Sequence, residues 1–571
     1  MILRLDDVSD MALAIRSEDI LSDVETPQTY SQAINSRYAP RWIESMNKEI
    51  EDLVRHGTWD LIERRKVPKS HRITKSKWVY KIKLNKDGSI ERFKSRFVVC
   101  GYSQIEGVDY THSFSATMRA TSFRLLMALA AGEKLKLEHF DVTNAFTQSD
   151  IDSDIYVEPP KGYEQTDQHD DTYVLKLKKA LYGTKQASRM WQLKLRSYLV
   201  KHMGFTNSSN DPCLFCRRDS DGSVLIVGVY VDDIILAHNG KKLSWYIDKF
   251  TGPEGFRAKH IGSLSWFLGV SVEQHQDMTV HLSQTQYVQK LYEKFINTSS
   301  SSTIKHSMPC NPLKFPKLTT AKSDSERNKA SKLPYLQLIG SLLYLSTMTR
   351  PDIAYHMATL CSLMHDPTVE AYQAALDLLL YVYSHPLNLF FPGKRDVPDG
   401  VDVKYHENIR TNGGLVGFSD STWRSSSSKG YNLFGYVIYF MGAPVSYICK
   451  HLRVVALSSA EAEYAAASYA CKEIVFVRNV LNDLGFAISS PTTLAVDNKA
   501  AIAIAENLGV TARNKHFNDA IHYFRHLVDH RVIVPTHVST EYQRADGFTK
   551  CLSKTPYRKW LNLLLLNDQK G

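Results

Sequence analysis

The chain has 571 residues, 43% of them hydrophobic and 23% charged, with a formal net charge of +10. That length calls for two to four structural units, and that balance excludes disordered and fibrous classes. No apolar run is long enough to span a bilayer, and the acidic start MILRLDDVSD lacks a secretory h-region, so a cytoplasmic or nuclear protein with no membrane partner is expected, not a secreted one.

Residues 1–25 read as a leader. From Tyr30 to Val54 the pattern is helical, with Trp42, Ile43, Met46, Ile50, Leu53 and Val54 on one face, and Gly57 ends it. Residues 63–97 carry thirteen Lys or Arg against three acids, which equals the whole net excess of the chain. This segment reads as a β-ribbon: Trp78, Tyr80, Ile82 and Leu84 alternate with Lys77, Lys81 and Lys83, Lys86-Asp87-Gly88 makes the turn, and Phe93 and Phe97 alternate with Arg92, Lys94 and Arg96. One face is then apolar and the other cationic. A solvated strand face is the plain reading, but so many cations on one hairpin point to nucleic-acid or nucleotide phosphates.

A helix is expected within 117–140, then a short strand from Glu138 to Val142. TYVLKLKKA near 172–180 alternates, a helix follows through 185–203, and SVLIVGVYVDDIILA (223–237) reads as two apolar strands joined at an Asp pair. Residues 283–296 are helical in pattern, 297–333 read as a linker, 335–385 as helices and 392–413 as a loop. The last unit orders as three strands (414–420, 431–440, 444–450), a long helix (459–484), a strand (492–497), two helices (498–507, 515–529), a strand (531–538) and a final helix from about 543. That order fits a mixed five-stranded sheet flanked by helices. The eight cysteines are scattered; Cys213 and Cys216 form one CxxC with no second pair or nearby His, so buried thiols are expected.

Two sets of acids stand at strand ends. Asp141 closes one apolar strand, and Asp232 and Asp233 lie between two others; if the strands share a sheet, three carboxylates converge at one edge. Their mutual repulsion would be relieved by a pair of divalent cations, the arrangement that serves phosphoryl transfer. In the last unit Asp420 and Asp497 end strands, and Asp546 is expected to open the terminal helix. On the long helix, Ser458 and Glu461 have capping-box spacing, which makes Glu461 structural and leaves Glu463 to face the sheet.

YVDD within VGVYVDDIILA, with FDVTNAF (140–146), resembles the palm motifs of reverse transcriptases. FKSRFVVCGYSQIEGVDYTHSFS (93–115), ALYGTKQASRMW (180–191), WFLGV (266–270) and LIGSLLYLSTMTRPDIAY (338–355) resemble, in order, the blocks of copia-type LTR retrotransposon Pol polyproteins. ALSSAEAEY (456–464), VDNKAAI (496–502), RNKHFNDAIHYFRH (513–526) and TEYQRADGFTK (540–550) resemble that family's ribonuclease H.

The resemblance implies an α/β and α+β multidomain chain: right-hand polymerase fingers and palm over 26–270, thumb and connection over 271–410, a ribonuclease H-like domain over 411–555 and a tail over 556–571. It implies Asp141 and Asp232 as metal ligands with Asp233 beside them as the adjacent catalytic aspartate. Lys94 and Arg96 would meet the incoming triphosphate, Phe146 would screen the sugar 2′ position, and Gly183 would sit at a close approach to template and nucleotide. In the second site the catalytic metal ligands would be Asp420, Glu463, Asp497 and Asp546. The implied cofactor is Mg²⁺, two per site, with Mn²⁺ as the alternative. The implied partners are RNA template, DNA primer, RNA–DNA hybrid, dNTPs and other products of such a polyprotein, within retrotransposon particles. No zinc knuckle, aspartic protease signature or integrase head occurs, so the chain corresponds to the C-terminal portion of such a polyprotein. The alternative reading is a remnant that binds nucleic acid without catalysis.

Overall fold

The computed structural model describes residues 26–84, 90–165, 172–296, 307–393, 414–423, 432–452, 454, 456–506, 519–564 and 566–568. The expected leader, the Lys86-Asp87-Gly88 turn and most of the 392–413 loop lie outside them. The fold is mixed α/β with several sheets.

The basic ribbon forms as its alternation predicts. Strands β1 (Ser76–Leu84) and β2 (Ile90–Val99) pair antiparallel, with Trp78 opposite Phe97 and Ile82 opposite Phe93 on one face, and Lys81 opposite Lys94 and Lys83 opposite Arg92 on the other. Helix α1 (Ala39–Arg55) covers the apolar face: the Trp42 ring lies edge-on to Phe93 at 4.7 Å and to Tyr80 at 5.1 Å. The buried stripe of α1 is Trp42, Met46 and Leu53; Ile43 and Val54, expected on it, are 42% and 57% exposed. Each lies one residue beyond a stripe member, and the 100° step per residue turns it to solvent.

A second sheet is built from β3 (Lys136–Val142), β4 (Leu214–Arg218), β5 (Val224–Tyr230), β6 (Asp233–His238) and β7 (Ala258–Ser263), in the order β7-β3-β6-β5-β4 with Thr206–Asn207 at the far edge. All its pairings are antiparallel. Both faces are covered, one by helix α2 (Ala120–Gly132) and the other by α3 (Ala187–Ser197) and α4 (Leu243–Thr251). This double burial is why 223–237 is apolar throughout instead of alternating. Helix α2 is itself buried on every side from Thr121 to Ala131.

The connecting region contains β8 (Val270–Gln274), β9 (Val280–Ser283) and α5 (Thr285–Phe295), then α6 (Tyr335–Met348), α7 (Ala354–Ser362), α8 (Val369–Ser384) and β10 (Leu387–Phe391). Within the expected linker 297–333, a helical turn forms at Phe315–Lys317 and a short helix at Asp324–Ala330, the latter capped by the Ser323 hydroxyl. At the centre of this region Arg350 donates from Nε and Nη2 to the two carboxylate oxygens of Asp352, both at 2.8 Å. The Tyr381 hydroxyl adds a third bond to Asp352 at 3.2 Å. Both partners of the pair are buried. Asp352→Ala would strand the guanidinium in the core and is expected to cost about 3–5 kcal/mol, read as a lowered urea midpoint of the full chain.

The last unit follows the expected order. Strands β11 (Val416–Ser421), β12 (Leu433–Phe440) and β13 (Ala443–His451) form a meander, α9 (Ser459–Asp483) follows, and β14 (Thr492–Val496), α10 (Lys499–Glu506), α11 (Asp519–Asp529) and β15 (Ile533–His537) complete the sheet in the order β13-β12-β11-β14-β15. The two pairings that involve β14 are parallel. The final helix begins later than expected, as α12 (Lys554–Leu563), because Pro556 is tolerated only in a first turn. The span 556–571, expected to be a tail, holds most of this helix, whose Trp560 is buried and donates to the Arg544 carbonyl at 2.8 Å. Residues Leu566–Asp568 then pair with β10.

One apolar core runs from α2 through the connecting helices into the last unit. Buried Arg124 of α2 ties the seam: Nε donates to the Val445 carbonyl at 2.8 Å and Nη1 to the Tyr447 hydroxyl at 3.3 Å.

Candidate active sites

Strand pairing brings the first acidic set to one sheet edge. Asp141 stands directly opposite Asp233 in the β3–β6 ladder, and Asp232 occupies the turn between β5 and β6. Two bonds fix that turn: the Trp191 indole N–H donates to the Val231 carbonyl at 2.6 Å, and the Val142 N–H donates to the Asp232 carbonyl at 2.8 Å. Val231 is held at φ +56°, a conformation that β-branched residues rarely adopt and that persists only where the surroundings impose it. His139, which sequence reasoning did not single out, meets Asp233 at 3.2 Å. Lys259 faces Asp141 from the other side, across the β7–β3 ladder.

Phe146, in the turn that follows β3, connects to the cationic face of the ribbon through Tyr182. The Arg96 guanidinium lies 4.5 Å over the Tyr182 ring, and the Phe146 ring meets the same tyrosine at 4.9 Å. Arg96 Nε is buried with no hydrogen-bond partner, and stacking on Tyr182 fixes the plane of the guanidinium. Lys94 is half-buried; burial pulls its ammonium down to about 8, helped by the like charges of Arg96, Arg92 and Lys83 and opposed by Glu49 of α1. Gly183 does sit at a close approach, but to the chain's own backbone. At φ +90°, a Cβ there would meet the Val99 carbonyl at 2.1 Å. The Val99 N–H donates to the Tyr182 carbonyl at 2.8 Å, which locks the Gly183 loop onto β2.

The second set draws together more tightly. Oxygens of Asp420, Glu463 and Asp497 all lie within 4.8 Å of one another. Asp420 is the penultimate residue of β11, Asp497 directly follows β14, and Glu463 reaches in from the first turns of α9. The capping argument holds: the Ser458 hydroxyl accepts from the Glu461 N–H at 3.3 Å and the Glu461 carboxylate accepts from the Leu457 N–H at 2.6 Å, while Glu463 accepts from the Ser421 N–H at 3.0 Å. Asp546 sits in a helical turn (Asp546–Phe548), not at the start of the terminal helix.

Lys550 was not anticipated. Its ammonium contacts Asp546 at 2.5 Å and Asp420 at 3.5 Å, and those carboxylates hold it charged against its burial. The only signal in the sequence was its i+4 spacing from Asp546. The Thr549 hydroxyl donates to Asp420. Burial raises the Asp420 and Glu463 carboxyls, and each is raised further by neighbouring acids. Such a cluster is poorly satisfied without cations, and hard oxygen donors suit magnesium or manganese.

Residues 56–308 match the family described as reverse transcriptase (RNA-dependent DNA polymerase). Over 94% of its length the chain is 30% identical to a retrovirus-related Pol polyprotein from transposon TNT 1-94 of Nicotiana tabacum. It is 32% identical, again over 94% of its length, to the Pol polyprotein from transposon RE1 of Arabidopsis thaliana. This chain is a homologue of copia-type retrotransposon Pol polyproteins. It spans 39% and 34% of the length of those two relatives. A solved foamy viral protease-reverse transcriptase in complex with ds DNA is 13% identical, at a TM-score of 0.43 over 87% of this chain and 69% of that one. Asp141, Asp232, Asp233, Phe146 and Gly183 fall inside the matched reverse transcriptase segment, as do Lys94 and Arg96. The second acidic set lies beyond it, at 420–546. Among the described residues no helix is long and apolar enough to cross a membrane.

Proposed function

We propose that the chain is an RNA-directed DNA polymerase joined to a ribonuclease H that cuts RNA in RNA–DNA hybrids, with polymerase fingers and palm over 26–270, thumb and connection over 271–410 and the nuclease over 411–555. The observation that carries the reading is that two separate acidic sheet edges occur in one Pol-homologous chain, the first of them inside the reverse transcriptase segment.

In this reading Asp141 and Asp232 hold magnesium at the polymerase edge, Asp233 stands beside them, and Asp420, Glu463, Asp497 and Asp546 hold it in the nuclease. The bound ions would supply charge neutralisation at the attacked phosphate and at the attacking and leaving oxygens. The remaining work belongs to the chain. Arg96, pre-oriented on Tyr182, offers donors to a triphosphate, and Lys94 adds charge beside it. Phe146, packed on the same ring, walls the sugar, and Gly183 holds its loop against β2.

Lys94 gives this arrangement a pH dependence. Its cation is lost as pH rises through about 8, so kcat/KM for dNTP should fall across that range. Lys94→Arg, which stays charged, should remove that limb from the pH–rate profile.

The direct test supplies the purified full chain with RNA template, DNA primer, dNTPs and Mg²⁺, and separately with a labelled RNA–DNA hybrid. Primer extension together with hybrid cleavage supports the proposal. Tight binding of both substrates with neither reaction would favour the non-catalytic remnant.

A further inference from the structure

A further gathering of metal-ligating side chains shares no residue with either acidic set. Cys310, His356 and Cys551 bring a ligand atom each within 4.8 Å of the others, and the two sulfurs are 3.3 Å apart. The three residues come from distant parts of the chain. Cys310 precedes the Phe315–Lys317 turn, His356 lies in the first turn of α7, and Cys551 stands just ahead of α12. His356 is 4% exposed, its ring packs against Phe315 at 5.1 Å, and its Nδ1 is buried with no hydrogen-bond partner. The cysteines are half-buried, so an ion can reach them.

We propose that Cys310, His356 and Cys551 form a binding site for a thiophilic divalent metal of the zinc class, clasping the connecting region to the C-terminal five-stranded unit. Two thiolates and an imidazole are the donor set that borderline-soft ions select and that magnesium avoids. Sulfurs of a tetrahedral zinc site lie about 3.8 Å apart, from 2.3 Å bonds, and the two here stand somewhat closer, at 3.3 Å. A disulfide would account for the cysteines but not for a buried imidazole placed beside both sulfurs. Three protein ligands leave a fourth position to solvent.

The clasp has a consequence for the neighbouring acidic cluster. Cys551 directly follows Lys550, which contacts Asp420 and Asp546. A metal at Cys551 would hold that stretch in register against α7. The proposal rests on the three ligands and stands whether or not the acidic cluster is a nuclease.

The test uses the full chain, purified under reducing conditions, stripped with chelator and titrated with Co²⁺. Thiolate-to-cobalt charge-transfer absorption reports sulfur ligation, which the carboxylate sites cannot produce. The expected result is a band that saturates at one equivalent and is displaced by Zn²⁺. It should vanish in Cys310→Ser and Cys551→Ser and persist in Cys361→Ser, a cysteine of the same α7 helix outside the cluster. A second measurement needs no variant: zinc should slow alkylation of Cys310 and Cys551 in the wild-type chain about tenfold or more, with chelator restoring it. No thiolate band in the wild type, a band that survives Cys551→Ser, or a Cys310–Cys551 disulfide in the reduced preparation would overturn the proposal.

Discussion

Asp232→Asn is expected to abolish primer extension while leaving hybrid cleavage and primer-template binding close to wild type. Asn is nearly isosteric with Asp in this turn, whose Val231 and Asp232 carbonyls are held by the Trp191 indole N–H and the Val142 N–H. The substitution keeps the size of the side chain and removes its charge. Cation stabilisation of the transferring phosphoryl group is worth several kcal/mol, and each 1.4 kcal/mol is a factor of ten in rate, so extension should fall on the order of 10³-fold. The fall should appear in kcat, with KM for dNTP little changed, because Arg96 and Lys94 lie on a different element. A loss confined to KM would place Asp232 in substrate binding and contradict its role as a ligand.

Glu463→Gln should do the converse: hybrid cleavage falls by a similar factor and extension is retained. It should not cost stability. Gln keeps an oxygen to accept the Ser421 N–H and removes one of three crowded acids. In chelator, then, the melting temperature of the variant should equal or exceed that of the wild type. Added Mg²⁺ should raise the wild-type melting temperature by linkage and raise the variant's less. Glu461→Gln, on the same helix turn, should leave cleavage intact, since Glu461 serves the helix cap.

Much of this was legible in the sequence for identifiable reasons. The apolar runs around Asp141 and Asp232 stop at acids, and a run buried on both faces leaves only its ends for chemistry. The capping-box spacing separated Glu461 from Glu463 without a structure. The alternation of 77–97 predicted a ribbon with one apolar and one cationic face, and the register bears it out.

What failed did so where the deciding partner is remote or unmarked. Glycine at 183 signals a close approach, and its protein-side partner, the Val99 carbonyl, carries no local mark. The stripe on α1 was drawn too wide because Ile43 and Val54 are apolar, though they face solvent. Residues 556–571 read as a tail because nothing local shows that the Trp560 indole donates to the Arg544 carbonyl. The Cys310–Cys551 proximity spans 241 positions and carries no motif. Lys550 lay inside a motif whose acid drew the attention.

The most direct test of the two acidic edges is anomalous diffraction from crystals of the full chain with Mn²⁺, a primer-template and an incoming nucleotide. The account predicts manganese between Asp141 and Asp232, and separately among Asp420, Glu463 and Asp497, with the Lys550 ammonium drawn back from Asp420. Manganese absent from either edge while occupied elsewhere on the chain would contradict it.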